Sequence, residues 1–190
     1  MNKIIVLTFF LCLTISAFSQ PNEITYFHRS NGNIIDPNGN RFIIKATNVS
    51  CWLYQENYIL GGAQNAHKIT AENLNEILGT NAYGNFSKQM MEHFITEEDI
   101  RLMKKMGFNS VRVGFSAESF DNDSIKNVLF STLDNLLPTF KENNVAIILS
   151  MIHAAKPQNT LWVSNYTKGA TVLWDSEEAK LKTASIWSEI

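Results

Sequence analysis

The chain has 190 residues, 45% of them hydrophobic and 18% charged, with a formal net charge of −2. That is the composition of a globular protein and excludes disordered, collagenous and coiled-coil chains. The slight negative charge, with no Lys/Arg cluster, excludes nucleic acid as the main partner.

In chain order, the first element is a secretion leader. Lys3 gives a positive start, Ile4 to Leu13 is apolar except for Thr8, and Ala17-Phe18-Ser19 offers small residues for cleavage before Gln20. The apolar run is too short to span a bilayer and no second span follows. Residues 1–19 therefore read as a cleaved signal, and the protein as secreted, extracellular or periplasmic, with no membrane attachment after cleavage. Cleavage removes Cys12 and leaves Cys51 alone, so stability must come from a packed core rather than a disulfide. Cys51, between Ser50 and Trp52, reads as a buried side chain. No Cys/His cluster has metal-ligand spacing.

Two strand-like stretches, Ile24 to Phe27 and Phe42 to Ala46, flank the turn residues Asp36-Pro37-Asn38-Gly39-Asn40, which predicts an N-terminal hairpin. The second strand runs on into Thr47-Asn48-Val49-Ser50-Cys51-Trp52. Tyr54 to Phe94 reads as a long connection containing a short helix over Ala71 to Leu78; a connection of that length is commonly functional. Thr96-Glu97-Glu98-Asp99 reads as a helix start, with acids facing the positive helix end and Gly107 at the far cap. Ser110-Val111-Arg112-Val113 follows as a short strand.

The pattern then repeats. Leu133, Leu136, Leu137 and Phe140 fall on one helical face, with Pro138 either kinking that helix or marking its start. Val145 to Met151 is a near-continuous apolar strand, as in a parallel sheet covered on both faces. Asp175-Ser176-Glu177-Glu178 resembles a capping box opening a helix through Trp187. Alternating strands and helices define an α/β protein with parallel strands. No strand leads into a Gly-rich phosphate loop. Instead the strands end in Asn48 and Trp52, in Arg112, and in His153, and polar residues at C-terminal strand ends are where a barrel places its active site.

Three stretches carry a resemblance to a known family: "IKATNVSCWL" (Ile44 to Leu53), "IRLMKKMGFNSVRV" (Ile100 to Val113) and "IILSMIHAAKPQN" (Ile147 to Asn159). In this order they resemble glycoside hydrolase family 5, the cellulase-like family of retaining β-glycanases. "LWDSEEAKLKTASIWSEI" is similar to the helix that follows. The sequence departs from the family pattern at Ala46, where Gly is usual. It also departs at Ser150 or Met151, where an acid often precedes the His, and in the Ala-Ala-Lys-Pro run after His153.

The resemblance implies a (β/α)8 TIM barrel, of which residues 20–190 would supply about the first three βα units. It implies hydrolysis of the O-glycosyl bonds of a β-glucan or related plant polysaccharide, by a monomer when full length, with no metal or organic cofactor. Retaining glycosidases place two carboxyl groups about 5 Å apart across the scissile bond. The family's two glutamates, at the ends of strands four and seven, would lie beyond Ile190, so this chain alone is expected to be inactive. Arg112 and His153 are the expected supporting catalytic residues. A guanidinium near the nucleophile favours its ionised form, and the imidazole would donate a hydrogen bond to substrate or nucleophile.

Trp162, Asn48 and Trp52 are the candidate substrate-binding residues; Trp52, Trp162 and Trp174 are the candidate stacking platforms, with Trp162 the better one and Trp52 read rather as core or lower-site wall. Glu118 and Asp121 read as loop acids. The competing readings are a non-catalytic carbohydrate-binding barrel, an inactive remnant, or an α/β esterase. The last would want a Gly-x-Ser-x-Gly elbow, which does not occur in the sequence.

Overall fold

The computed structural model describes residues 26–190. The leader over residues 1–19, Cys12, and Ile24 and Thr25 of the first expected strand lie outside the described residues. The described residues divide into two compact units, one ending at Ile43 and the other spanning Ile44–Ile190.

The first unit holds three short antiparallel strands, β1 (His28–Ser30), β2 (Asn33–Ile35) and β3 (Arg41–Phe42), in the order β1-β2-β3. Asn31 and Gly32 join β1 to β2 with φ of 47° and 76°, which suits a two-residue hairpin. The expected turn joins β2 to β3. There the Asp36 carboxylate accepts from the backbone N–H of Asn38 at 2.9 Å and Asn40 at 2.8 Å, so the turn is closed by its own side chain. The hairpin partner differs from expectation: Phe42 pairs with Ile34 of β2, and Tyr26 and Phe27 precede the first strand. Phe27 instead packs edge-on against Phe42 at 4.8 Å.

The second unit is a three-stranded parallel sheet, β4 (Ala46–Leu53), β5 (Ser110–Ser116) and β6 (Ala146–His153), in the order β4-β5-β6. Its helices are α1 (His67–Leu78), α2 (Thr80–His93), α3 (Glu97–Lys105), α4 (Asp123–Glu142) and α5 (Glu177–Glu189). Residues 54–94 are therefore largely helical rather than an open connection. The helix expected over Ala71 to Leu78 begins earlier, at His67, and α2 is additional. Sequence reading misses α2 because Gly79 at its head and Gly84 within it read as loop residues, and Met91 is its one buried residue.

The helix caps explain where the others begin. Thr96 Oγ1 accepts from Asp99 N–H, and the Asp99 carboxylate accepts from Thr96 N–H at 2.9 Å, a full capping box at the head of α3. Gly107, at φ 92°, turns the chain out of α3 and into β5, a conformation costly for any residue with a Cβ. Asn122 caps α4 through Ser124 N–H and Ile125 N–H. Pro138 lies inside α4, well after the helix has begun, which settles its position as neither start nor stop.

One face of the sheet carries Val49, Val111, Val113 and Phe115, all buried. Ile100 of α3, Leu129, Leu136 and Phe140 of α4, and Ile186 of α5 join the same cluster. Each such side chain contributes roughly 1.5–3 kcal/mol by leaving water. This half of the alternating strand pattern is the core, and the opposite half is left free for chemistry.

Candidate active site

The second face of the sheet carries a band of polar side chains, interspersed with Ile148 and Ile152. Asn48 pairs with Arg112 across β4 and β5, and Gly114 with Ser150 across β5 and β6. The period of two puts Arg112 into the open while its neighbours Val111 and Val113 are fully buried. The guanidinium donates to Ser150 Oγ at 2.8 Å and to Asn48 Oδ1 at 3.4 Å. Asn48 donates in turn to Ser50 Oγ at 2.6 Å. Both partners of Arg112 are neutral, so its charge is positioned but not compensated by them. Ser150, one of the two positions read as departing from the resembled family's acid, is one of these partners.

These residues floor a cleft of ≈ 290 Å³, walled by Tyr54, Glu56, Tyr58 and Gln158. A larger cavity of ≈ 640 Å³ lies nearby, lined by Trp52, Gln55, His67, Tyr83 and Glu118 among others. The smaller cleft is the better candidate because it gathers Asn48, Ser50 and Arg112; Asn48 and Arg112, expected at strand ends, lie instead near the starts of β4 and β5, which run on to Leu53 and Ser116. Tyr54 lines both spaces. Burial pushes its phenol up to about 12, so the hydroxyl keeps its proton; it lies 3.4 Å from Ser50 Oγ.

Tyr54 can occupy this position because residue 114 is glycine. A Cβ there would sit 2.5 Å from the Tyr54 ring and 2.7 Å from the Ile152 side chain. Gly114→Ala is therefore expected to displace Tyr54 and lower stability by about 1–3 kcal/mol, the usual range for overpacking. Urea denaturation measures the loss, and an unchanged midpoint would show that the wall yields freely.

Glu56 reaches the cleft through a local device. The pairing of β4 with β5 slips between Val49 and Leu53, and Cys51 inside the slip has φ 61°. The buried thiol donates to Glu56 C=O at 3.1 Å and accepts from Glu56 N–H at 3.2 Å. Burial pushes that thiol up, which keeps it protonated and able to donate.

His153 does not line this cleft. It is 3% exposed, stacked on His67 at 5.3 Å and edge-on to Tyr54 at 5.3 Å. The pairing of β5 with β6 slips after Phe115, so His153 rather than Ile152 lies opposite Ser116. Burial, then the neighbouring His67, lower its pKa to about 3; a hydrogen bond to the Val163 backbone opposes them. Its Nδ1 is buried without a partner.

His67 is also lowered by burial, partly offset by Glu118, whose carboxylate lies 3.7 Å away. Asn165 ties this group together: it donates to Glu118 at 2.9 Å and accepts from Lys68 N–H at 2.8 Å. Glu118 is thus engaged in a loop contact, and Asp121 pairs with Lys182.

The tryptophans separate. Trp52 is a core side chain, 2% exposed, its indole N–H donating to Met91 C=O at 2.7 Å. Trp162 is half-buried and packs edge-on against Tyr58 at 5.3 Å, beside the cleft wall. Trp174 is exposed, and its N–H donates to Gln158 C=O at 2.9 Å. Trp187 packs edge-on against Phe115 at 5.5 Å. Sequence reasoning missed Tyr54, Glu56, Tyr58 and Gln158. Their signal was position: the first three follow immediately after β4, and Gln158 follows β6, on the side of the sheet where barrel sites form.

Among the described residues no group of three or more His, Cys, Asp or Glu side chains is placed to hold a metal. None of their helices is long and apolar enough to cross a membrane.

This arrangement belongs to a known class of folds. The crystal structure of AoRut superposes with a TM-score of 0.62 over 77% of this chain and 42% of that one, at 18% identity. Sequence comparison adds chemistry to the shared fold. Residues 86–175 match the family model described as β-galactosidase. The chain is 25% identical over 171 residues, 88% of its length, to a β-xylosidase of Phanerodontia chrysosporium. It is 38% identical over 76 residues, 38% of its length, to endoglucanase C of Acetivibrio thermocellus. It spans 36% of the first relative and 22% of the second. The likeness is thus to glycoside hydrolases, whose substrates are carbohydrates.

Proposed function

We propose that this chain forms the first three βα units of a secreted, monomeric (β/α)8-barrel glycosidase of the cellulase-like family 5 type. Residues 1–19 direct export, and residues 20–190 build one side of the catalytic barrel. The enzyme hydrolyses β-linked plant polysaccharide with retention of configuration, without metal or organic cofactor. The observation that carries this reading is the Arg112 guanidinium, held by two neutral partners, Asn48 and Ser150, on the floor of a polar cleft.

In the proposed reaction, a carboxylate from a later strand attacks the anomeric carbon. A second carboxyl group protonates the departing glycosidic oxygen and then deprotonates water. Arg112 faces the attacking carboxylate and keeps it ionised at neutral pH. Asn48 holds Arg112 and presents its amide to the sugar hydroxyls. Trp162 backs Tyr58 at the cleft wall. His153 acts through Tyr54, whose ring it supports from behind, and Trp52 carries the strand rather than the substrate.

The test follows hydrolysis of xylan- and glucan-derived oligosaccharides by the full-length protein containing this chain, read by proton NMR of the anomeric signals. The β-anomer appearing first is the expected result; the α-anomer would overturn retention. Binding without hydrolysis would favour the second reading, a carbohydrate-binding barrel, which the same cleft also suits.

A further inference from the structure

One side-chain amide ties together the connections that follow all three strands of the parallel sheet. Asn165 lies after β6. Its Nδ2 donates to the carboxylate of Glu118, which follows β5, at 2.9 Å. Its Oδ1 accepts from Lys68 N–H, in the first turn of α1 after β4, at 2.8 Å. The two bonds span 47 and 97 residues of chain.

The backbone is fixed as firmly. Asn165 has φ 62° and ψ 26°, and its N–H donates to Trp162 C=O at 2.9 Å, closing the short helical turn Trp162–Ser164. This left-handed region favours glycine, asparagine and aspartate, and of these only asparagine has a side chain that both donates and accepts. Position 165 is therefore over-determined, the condition under which a rare backbone conformation persists.

The turn that Asn165 closes is a wall of the cleft. Val163 and Ser164 line the cleft, and Trp162 packs against Tyr58, which lines it too. Every partner of Asn165 belongs to the connections after β4, β5 and β6, so the clasp is complete within the described residues.

Resting on the glycosidase reading above, we propose that Asn165 is a positioning residue that holds the Trp162–Ser164 wall against the other two connections. It touches no substrate and acts through the residues it ties. A wall in place only part of the time weakens apparent affinity by that fraction. The chemical step on a chain already bound is unchanged.

The test is steady-state hydrolysis of xylohexaose and cellohexaose by the full-length protein containing this chain, and by its N165G, N165D, N165D/E118Q and R112M variants, with melting temperatures recorded. N165G keeps the backbone conformation without strain and loses both side-chain bonds. It is expected to raise KM about ten-fold with kcat within about three-fold, because the two bonds that hold the wall are gone. N165D keeps the acceptor for Lys68 but sets one carboxylate against another at Glu118, so its KM should rise as well. Adding E118Q to N165D restores a donor and an acceptor with their roles exchanged, and KM should return to within about three-fold of wild type.

A wild-type KM in N165G, or a raised KM in N165D that E118Q does not lower, would overturn the clasp. So would a kcat that falls with the melting temperature while KM stays constant, the mark of general loosening. If N165G does not fold, the two N165D variants decide. If R112M is impaired while N165G matches wild type, the clasp falls and the glycosidase reading stands. If the wild type hydrolyses neither hexaose, both fall.

Discussion

Replacing Arg112 by methionine is expected to lower kcat/KM of the full-length enzyme about 10²- to 10³-fold, roughly 3 kcal/mol of transition-state stabilisation. Methionine keeps much of the side chain's length and its apolar stem but removes the charge. The native fold should survive, because Arg112 is exposed and bonded to two neutral side chains, Asn48 and Ser150. Its loss strands no buried charge, unlike the loss of one partner from a buried ion pair.

Arg112→Lys should fall between the two. It restores the cation as a point charge but cannot reach Asn48 and Ser150 with two separate nitrogens in a fixed plane. Steady-state kinetics with the melting temperature recorded alongside separates the cases. A large activity loss at unchanged melting temperature supports the role proposed for Arg112. Activity within about three-fold of wild type would remove it, since even one well-placed donor is worth more than that.

Acid should destabilise the second unit through His153. In the unfolded chain an imidazole takes up a proton near pH 6.5, whereas in the folded protein burial and His67 delay protonation until about pH 3. Between those values the unfolded state binds the extra proton, so stability rises with pH. The contribution is intact above the unfolded pKa and is lost progressively as pH falls toward the folded one. At about 1.4 kcal/mol per pH unit, the loss is about 2 kcal/mol by roughly pH 5.

His153→Phe keeps a flat ring against His67 and Tyr54 and removes the titration. Its stability should depend less on pH in that window, with a smaller slope remaining from buried His67, which is lowered in the same direction. Urea midpoints across the window provide the readout. A variant with the wild-type slope would assign the acid sensitivity to other groups.

The parts legible in the sequence were those where one local signal had one structural meaning. Thr96 with Asp99, and Gly107 after Met106, mark both ends of α3, because caps are satisfied by neighbours in the chain. The alternation around Arg112 placed that side chain opposite Val111 and Val113, because a strand has only two faces. His153 was harder. Its place at a strand end was correct, but a slip in β5–β6 pairing decides which side it faces, and pairing slips leave no trace in a single strand's sequence.

Glu56 was hidden for a related reason. It comes to the cleft through a bond with Cys51, five residues earlier, in a backbone conformation that nothing in "SCWLYQEN" announces. Helix α2 was hidden because Gly79 before it and Gly84 within it read as loop residues.

The unusual backbone at Cys51 also bears on how this cleft could drift through evolution. A glycine would adopt φ 61° without strain, but it would give up both sulfur contacts to Glu56. The two residues therefore stand for two regimes at one position, a relaxed strand with a loose rim or a strained strand with a pinned one. A single codon change can move a lineage between them without altering any residue that lines the cleft.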